Sequence, residues 1–196
     1  MAGKTIPATK AELARLRSRL NAATYRHSLF KNRFDDLTSQ LSELARKACD
    51  TRALVEKGLS CAHRAMAVAS ALLSPAALEQ ALLYRARHIE VDVILRDILT
   101  VSVPEYRLDS DSADSKLPYA FAQTSGELDD ALAAFERVFT DMLELAQAEK
   151  SIQLLSVEIE TTKRSANALE RAIIPKLKAN ITRVSARLEA RSLIHM

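Results

Sequence analysis

An apolar residue recurs every three or four positions along the first fifty residues of the chain. This stripe has eleven positions, and ten are apolar where about five would be expected from a composition that is 48% apolar. A repeat of 3.5 residues is tighter than a straight helix gives, so it stays in register only when two helices wrap around each other. The sequence therefore predicts a paired helix whose seam contains Leu13, Leu16, Leu20, Ala23, His27, Phe30, Phe34, Leu37, Leu41, Leu44 and Ala48.

A second stripe with the same spacing lies near the other end of the chain. It consists of Ile152, Leu155, Ile159, Thr162, Ala166, Leu169, Ile173, Leu177, Ile181, Val184 and Leu188. The two helices can pair antiparallel through these stripes if the segment between them reverses the direction of the chain. We therefore predict a mainly all-α fold in which a long antiparallel two-helix coiled coil forms one elongated domain over residues 1–196. Its parts are an N-terminal helix over 9–73, a middle segment over 74–124 and a C-terminal helix over 125–196.

Local signals mark the predicted ends of these helices. Thr9 and Glu12 form a capping box, in which each side chain satisfies a backbone N–H at the start of the first helix. Ser74 followed by Pro75 predicts a stop and a restart, with a short helix that continues to about Arg87. Thr124 and Glu127 form a second capping box before the last helix.

The middle segment changes its periodicity. Ile89, Val91 and Val93 alternate with acidic residues, and the run 98–103 is rich in β-branched residues, which predicts a small β-hairpin with its connection near Arg96 and Asp97. The polar stretch 109–115 is predicted to be an exposed loop. Within the last helix, Pro175 predicts a bend because proline removes a backbone hydrogen bond.

Charge is distributed unevenly along the chain, although the net value is only +3. Residues 1–47 and residues 163–196 each carry a net charge of +6, and residues 48–162 carry −9. In an antiparallel pair the two basic blocks coincide, so we predict a positive tip that binds acidic partners. Its candidate contact residues are Lys10, Arg15, Arg17, Arg19, Lys176, Arg183 and Arg187.

No motif in the sequence indicates catalysis, a metal or a cofactor. The phosphate-binding loop, HExxH, CxxC and GxSxG patterns are absent, and the four histidines are scattered. Cys49 and Cys61 are twelve residues apart on one predicted helix, which is too far for a disulfide. We therefore interpret them as small packing residues. No apolar run is long enough to cross a bilayer, so we expect a cytoplasmic protein without direct membrane insertion. Nucleic-acid binding at the basic tip is the weaker alternative, because few aromatic residues support it.

Both ends and the middle of the chain resemble the D subunit of the rotary V-type and A-type ATPases. Near the start, the matching residues are Pro7, Thr9, Lys10, Leu13, Leu16, Arg19, Leu20, Ala23, Leu29, Phe30, Lys31, Arg33, Asp35 and Leu37. Near the end, they are the run Arg164 to Glu170, in which Ser165 replaces an arginine of the family pattern, and then Ile174, Pro175 and Ile181, with Asn180 in place of a threonine. In the middle, they are Val103, Pro104, Tyr119, Leu128, Asp129, Ala131 and Phe135.

The resemblance implies a non-catalytic rotor shaft that transmits torque during ATP synthesis or hydrolysis. Its implied partners are the catalytic A and B subunits at the basic tip, the F subunit on the flank and the socket subunit of the membrane rotor. The flank is bracketed to Ala65, Ala69, Phe139 and Met142. The competing interpretation is a coiled-coil scaffold or adaptor without a motor role, since periodicity and composition alone fit it equally well.

Overall fold

The computed structural model describes residues 7–83, 90–109 and 126–194, and these are mainly helical. A 63-residue helix, α1, runs over Lys10–Leu72, and a short helix, α2, over Pro75–Leu83. Two antiparallel strands follow, β1 over Glu90–Ile98 and β2 over Val101–Asp109. Helix α3 spans Gly126–Ala168, continues through a π-helical turn at Leu169–Ile173 and passes into α4 over Ile174–Ile194. The predicted fold class is confirmed.

Thr9 and Ser74 are the N-caps, as predicted, but the box at Thr9 and Glu12 forms only one of its two bonds, because the Thr9 N–H donates to the Pro7 carbonyl at 3.1 Å. The Glu12 N–H donates to Thr9 Oγ1 at 3.2 Å, and the Ala77 N–H donates to Ser74 Oγ at 3.3 Å, with Pro75 as the first helical residue. Each cap satisfies a backbone donor that has no partner inside its helix. The second capping box, the end of the short helix near Arg87 and residues 110–115 of the predicted loop lie outside the described residues.

The chain divides into two compact units. The first, which we call the terminal unit, comprises Met1–Gln40 and Ser156–Met196, and the second, the central unit, comprises Leu41–Leu155. Each is built from a stretch of α1 packed against a stretch of the later helices. The prediction of one elongated domain stays a prediction.

In the terminal unit the two stretches run antiparallel. His27 lies 3.7 Å from Glu170, while Arg33, further along α1, bonds to Glu158, earlier in α3, at 2.6 Å. A cluster of buried residues holds the pair together, and its members recur at the predicted seam spacing. They are Leu16, Ala23, Leu169, Leu177 and Val184, with Leu13, Leu20, Phe30, Ile174, Ile181 and Leu188 packed against them.

The seam prediction fails at Ile173, which is 44% exposed. The Ile174 N–H donates to the Leu169 carbonyl five residues back, so the turn holds one residue more than an α turn and Ile174 packs against the cluster instead. The cause lies in the spacing of buried positions. Leu155, Thr162 and Leu169 are seven apart, as are Leu177 and Val184, but Leu169 and Leu177 are eight apart. The π turn absorbs the extra residue and ends two residues before Pro175.

The central unit also pairs α1 with α3 in antiparallel fashion. His63 stacks edge-on against Phe135 at 5.3 Å, and Arg52, earlier in α1, pairs with Glu149, later in α3. Small buried residues of α1, among them Ala48, Ala62 and Ala69, let the helices approach closely. Cys49 and Cys61 lie beside these positions and are exposed free thiols, so their interpretation as packing residues was wrong.

The hairpin is present, but its turn lies later than predicted. The loop consists of Leu99 and Thr100, since Ile98 pairs directly with Val101, and Leu99 has a φ of 56°. Neither loop residue is glycine or asparagine, the residues that usually adopt a positive φ, so the sequence did not indicate the turn. The Tyr106 N–H donates to Gln147 Oε1 at 3.0 Å, and this bond ties β2 to α3.

Candidate functional site

The predicted basic contact residues all lie in the terminal unit, on α1 and α4. Each of them is exposed: Lys10, Arg15, Arg17, Arg19, Lys176, Arg183 and Arg187. The terminal unit holds sixteen Lys and Arg against seven Asp and Glu, a net charge of +9, while the central unit has a net charge of −6. The positive charge is therefore a property of one compact unit.

Several of these cations stand one helical turn from another cation. Arg15 and Arg19 are four residues apart on α1, and Arg183 and Arg187 are four apart on α4. A like-charge pair at this spacing costs about 0.2–0.5 kcal/mol in a free helix. Binding of an anionic surface removes that repulsion. The arrangement therefore favours an acidic partner, although Arg15 also pairs with Glu12 at 3.7 Å.

The π turn forms one wall of a groove in the terminal unit, which we call the π-turn groove. Its volume is about 480 Å³, and its principal lining residues are Arg26, Leu29, Phe30, Arg33, Leu169 and Ile173. Leu29 is 49% exposed and Ile173 is 44% exposed. Phe30 and Leu169 form the floor, because both belong to the packed seam. Leu29 was not predicted as a surface contact, and seam spacing had assigned Ile173 to the interior.

The four residues predicted for the flank of the central unit do not form one surface. Phe139 and Met142 are exposed on α3, but Ala65 is half-buried and Ala69 is fully buried. Gly58 faces Val138, which places Leu54, 60% exposed, level with Met142 along the pair. Leu54 is therefore an exposed apolar residue of α1 near the height of Met142. Its exposed position follows from seam register, because the next residue, Val55, occupies the buried position.

Ion pairs link the two long helices of the chain, among them Arg33 with Glu158 and Arg52 with Glu149. The Glu149 carboxylate raises the pKa of the Arg52 guanidinium above its ordinary value through a hydrogen bond and charge attraction. No three His, Cys, Asp or Glu side chains within residues 7–83, 90–109 and 126–194 converge as metal ligands. No helix in those ranges is both long and apolar enough to span a membrane.

Residues 12–193 match the family model that describes the D subunit of ATP synthase. The chain belongs to the ATP synthase D-subunit family. A relative in Acetivibrio thermocellus, named as the D subunit of a V-type ATP synthase, is 42% identical over 96% of this chain and 86% of its own length. Relatives with the same name in Clostridium novyi and Fusobacterium nucleatum are 38% and 36% identical, each over 96% of this chain, with 89% and 90% of their own lengths covered.

The residues near the C-terminus that resemble the D-subunit family lie around the π turn. The run Arg164 to Glu170 ends α3 and enters the π turn, and Ile174 with Pro175 begins α4. The residues that carried the resemblance thus surround the one irregular turn in the described part of the last helix.

Proposed function

We propose that this D-subunit family member is the central rotor shaft of a V-type ATP synthase, turning within the ring of catalytic A and B subunits. The terminal unit enters the ring, and torque passes along the paired helices between the ring and the membrane rotor. The chain itself performs no bond chemistry. ATP is made or hydrolysed on the catalytic subunits, and the shaft couples that reaction to ion flow.

The antiparallel helix pair with a net charge of +9 is the observation that carries this proposal. A packed seam resists twisting, as a torque-bearing element must, and exposed cations attract an acidic ring. Each exposed ion pair is worth only about 0–1 kcal/mol. Many weak contacts can follow a rotating partner without arresting it in one orientation.

Two further partners complete the proposal. The F subunit binds the flank of the central unit, where Phe139 and Met142 expose apolar surface. The socket subunit of the membrane rotor meets the part of the central unit that carries α2 and the hairpin. Both contacts follow from the role of a shaft that links the ring to the membrane.

Native purification tests the rotor role. The tagged full-length chain is isolated from its own cells, the bound proteins are identified by mass spectrometry, and ATPase activity is measured in the eluate against a mock purification from untagged cells. We expect the A and B subunits together with ATPase activity. Recovery of nucleic acid or unrelated filament proteins, without those subunits, would show that the chain is a scaffold of another kind.

A further inference from the structure

The π-turn groove presents two large apolar side chains to solvent on an otherwise basic unit. Leu29 stands on α1, and the π turn moves Ile173 out of the seam onto the opposite wall. A helix with a regular seam would have kept a residue at this position buried. π turns often occur at functional sites, and this one forms a wall of a largely apolar groove with a volume of about 480 Å³.

Arginines stand at both ends of the same groove. Arg26 and Arg33 lie on one face of α1 with Leu29 and Phe30 between them, and their seven-residue separation is about 10 Å along a helix. The Arg33 guanidinium bonds to Glu158 at 2.6 Å, whereas the side chain of Arg26 is exposed. An occupant of this groove therefore meets apolar carbon in the middle and a solvent-exposed guanidinium at the Arg26 end.

We infer that the π-turn groove receives an apolar side chain, with a neighbouring carboxylate directed at Arg26, from a protein of the catalytic ring. The inference rests on the proposed rotor function. The net charge of +9 on the terminal unit selects an acidic partner surface, and the groove selects the apolar side chain within it. Leu29 and Ile173 thus provide a concave apolar contact for the ring, which scattered surface cations cannot provide.

Burial of apolar carbon gives the contact its strength. Leu29 and Ile173 are each about half exposed, so a partner that covers them removes a substantial apolar area from water. Replacing both by serine should therefore weaken binding of the chain to the ring by roughly tenfold or more. The helix should remain folded, since neither side chain belongs to the fully buried seam.

The first test measures the affinity of the full-length chain for the purified catalytic ring. The Leu29→Ser, Ile173→Ser double variant should bind at least about tenfold more weakly than the parent chain. Val157→Ser is the matched control, because Val157 is a 61% exposed apolar residue of the same unit that does not line the groove. Arg26→Glu should also weaken binding, and its effect should shrink at high salt.

The second test places a photo-crosslinking amino acid at position 173 of the full-length chain in the assembled complex. We expect crosslinks to a peptide of the catalytic ring that contains an apolar residue beside Asp or Glu. Crosslinks only to proteins outside the ring, or none at all, would overturn the inference even if the serine variant fails to fold. A parent chain that does not bind the ring refutes the rotor role, whereas a parent chain and double variant that bind equally refute only the groove contact.

Discussion

Gly58 presents only a hydrogen atom to the neighbouring helix. A Cβ at this position would lie 2.6 Å from Val138 Cγ2, and valine in a helix is held in one dominant rotamer, so it cannot turn aside. Alanine gains about 1 kcal/mol of helix propensity over glycine, but overpacking costs about 1–3 kcal/mol. We expect Gly58→Ala to lower the free energy of unfolding by roughly 1 kcal/mol in urea denaturation.

Two variants control this prediction. Val138→Ala in the Gly58→Ala background removes the clashing methyl group, so it should recover part of the loss. Gly126→Ala adds the same methyl group at the start of α3, where no other segment of the described chain comes within 4 Å, and should leave stability unchanged or slightly raised. A Gly58→Ala chain as stable as the parent would contradict the close packing of Gly58 against Val138.

Single residues were predictable where the physical cause is local. The caps at Thr9 and Ser74 depend only on residues three positions away, and both were correctly predicted. The need for glycine at position 58 depends on Val138, eighty residues later, so no local pattern reveals it. Cys49 and Cys61 were misassigned because a small apolar side chain was taken as a sign of packing, whereas the buried seam positions beside them are Ala48 and Ala62.

At the scale of elements, the last helix combines a π turn with a proline. A proline inside a helix costs about 3 kcal/mol relative to alanine, although a turn that already departs from α geometry reduces this cost. We expect Pro175→Ala to raise the free energy of unfolding by roughly 1–3 kcal/mol, measured by thermal and urea denaturation followed by circular dichroism.

The π turn itself should survive the Pro175→Ala change. The eight-residue separation of Leu169 and Leu177 is unaltered, so Ile173 should remain exposed and its photo-crosslinking variant equally reactive. Lower stability of the alanine variant would show instead that the proline stabilises the turn.

The hairpin shows how far pattern reading reaches for an element. Alternating apolar residues indicated the first strand, and a run rich in β-branched residues over 98–103 indicated the second. The turn at Leu99 and Thr100 could not be located, since it carries neither glycine nor asparagine and the β-branched run continues through it. Pairing across the ladder fixes the turn, and single-residue propensity does not.

For the whole molecule, the distribution of charge leads to a prediction about coupling. Replacing Arg17, Arg19, Lys176 and Arg183 by glutamine removes four exposed cations from the terminal unit without disturbing its seam. We expect weaker binding to the catalytic ring and lower coupled ATPase turnover, because the acidic partner loses several contacts of about 0–1 kcal/mol each. The measurements are affinity and turnover at low and high salt, where the difference should narrow.

The control for this variant removes the same number of exposed cations from the central unit. Lys57, Arg64, Arg137 and Lys150 are exposed there, and their joint replacement by glutamine should leave ring binding unchanged. Equal behaviour of the two quadruple variants would mean that charge in the terminal unit does not direct assembly.

Charge segregation and the antiparallel pairing were both readable from the sequence, because composition and a 3.5-residue period persist over dozens of residues. Function was readable through the family resemblance, which the match over residues 12–193 supports. The π-turn groove could not be predicted from the sequence. It requires one extra residue between the buried Leu169 and Leu177, and its walls come from two helices that are distant in sequence.

Because of that extra residue, the number of residues between the two buried leucines is informative. The C-terminal helix can be regarded as a regular heptad helix with a single-residue insertion between two buried leucines. A relative with seven residues in that interval would have an uninterrupted seam, no reason to form the wider turn and no displaced isoleucine. Counting the residues between the two leucines would therefore separate D subunits that have the wider turn and its displaced isoleucine from those that do not.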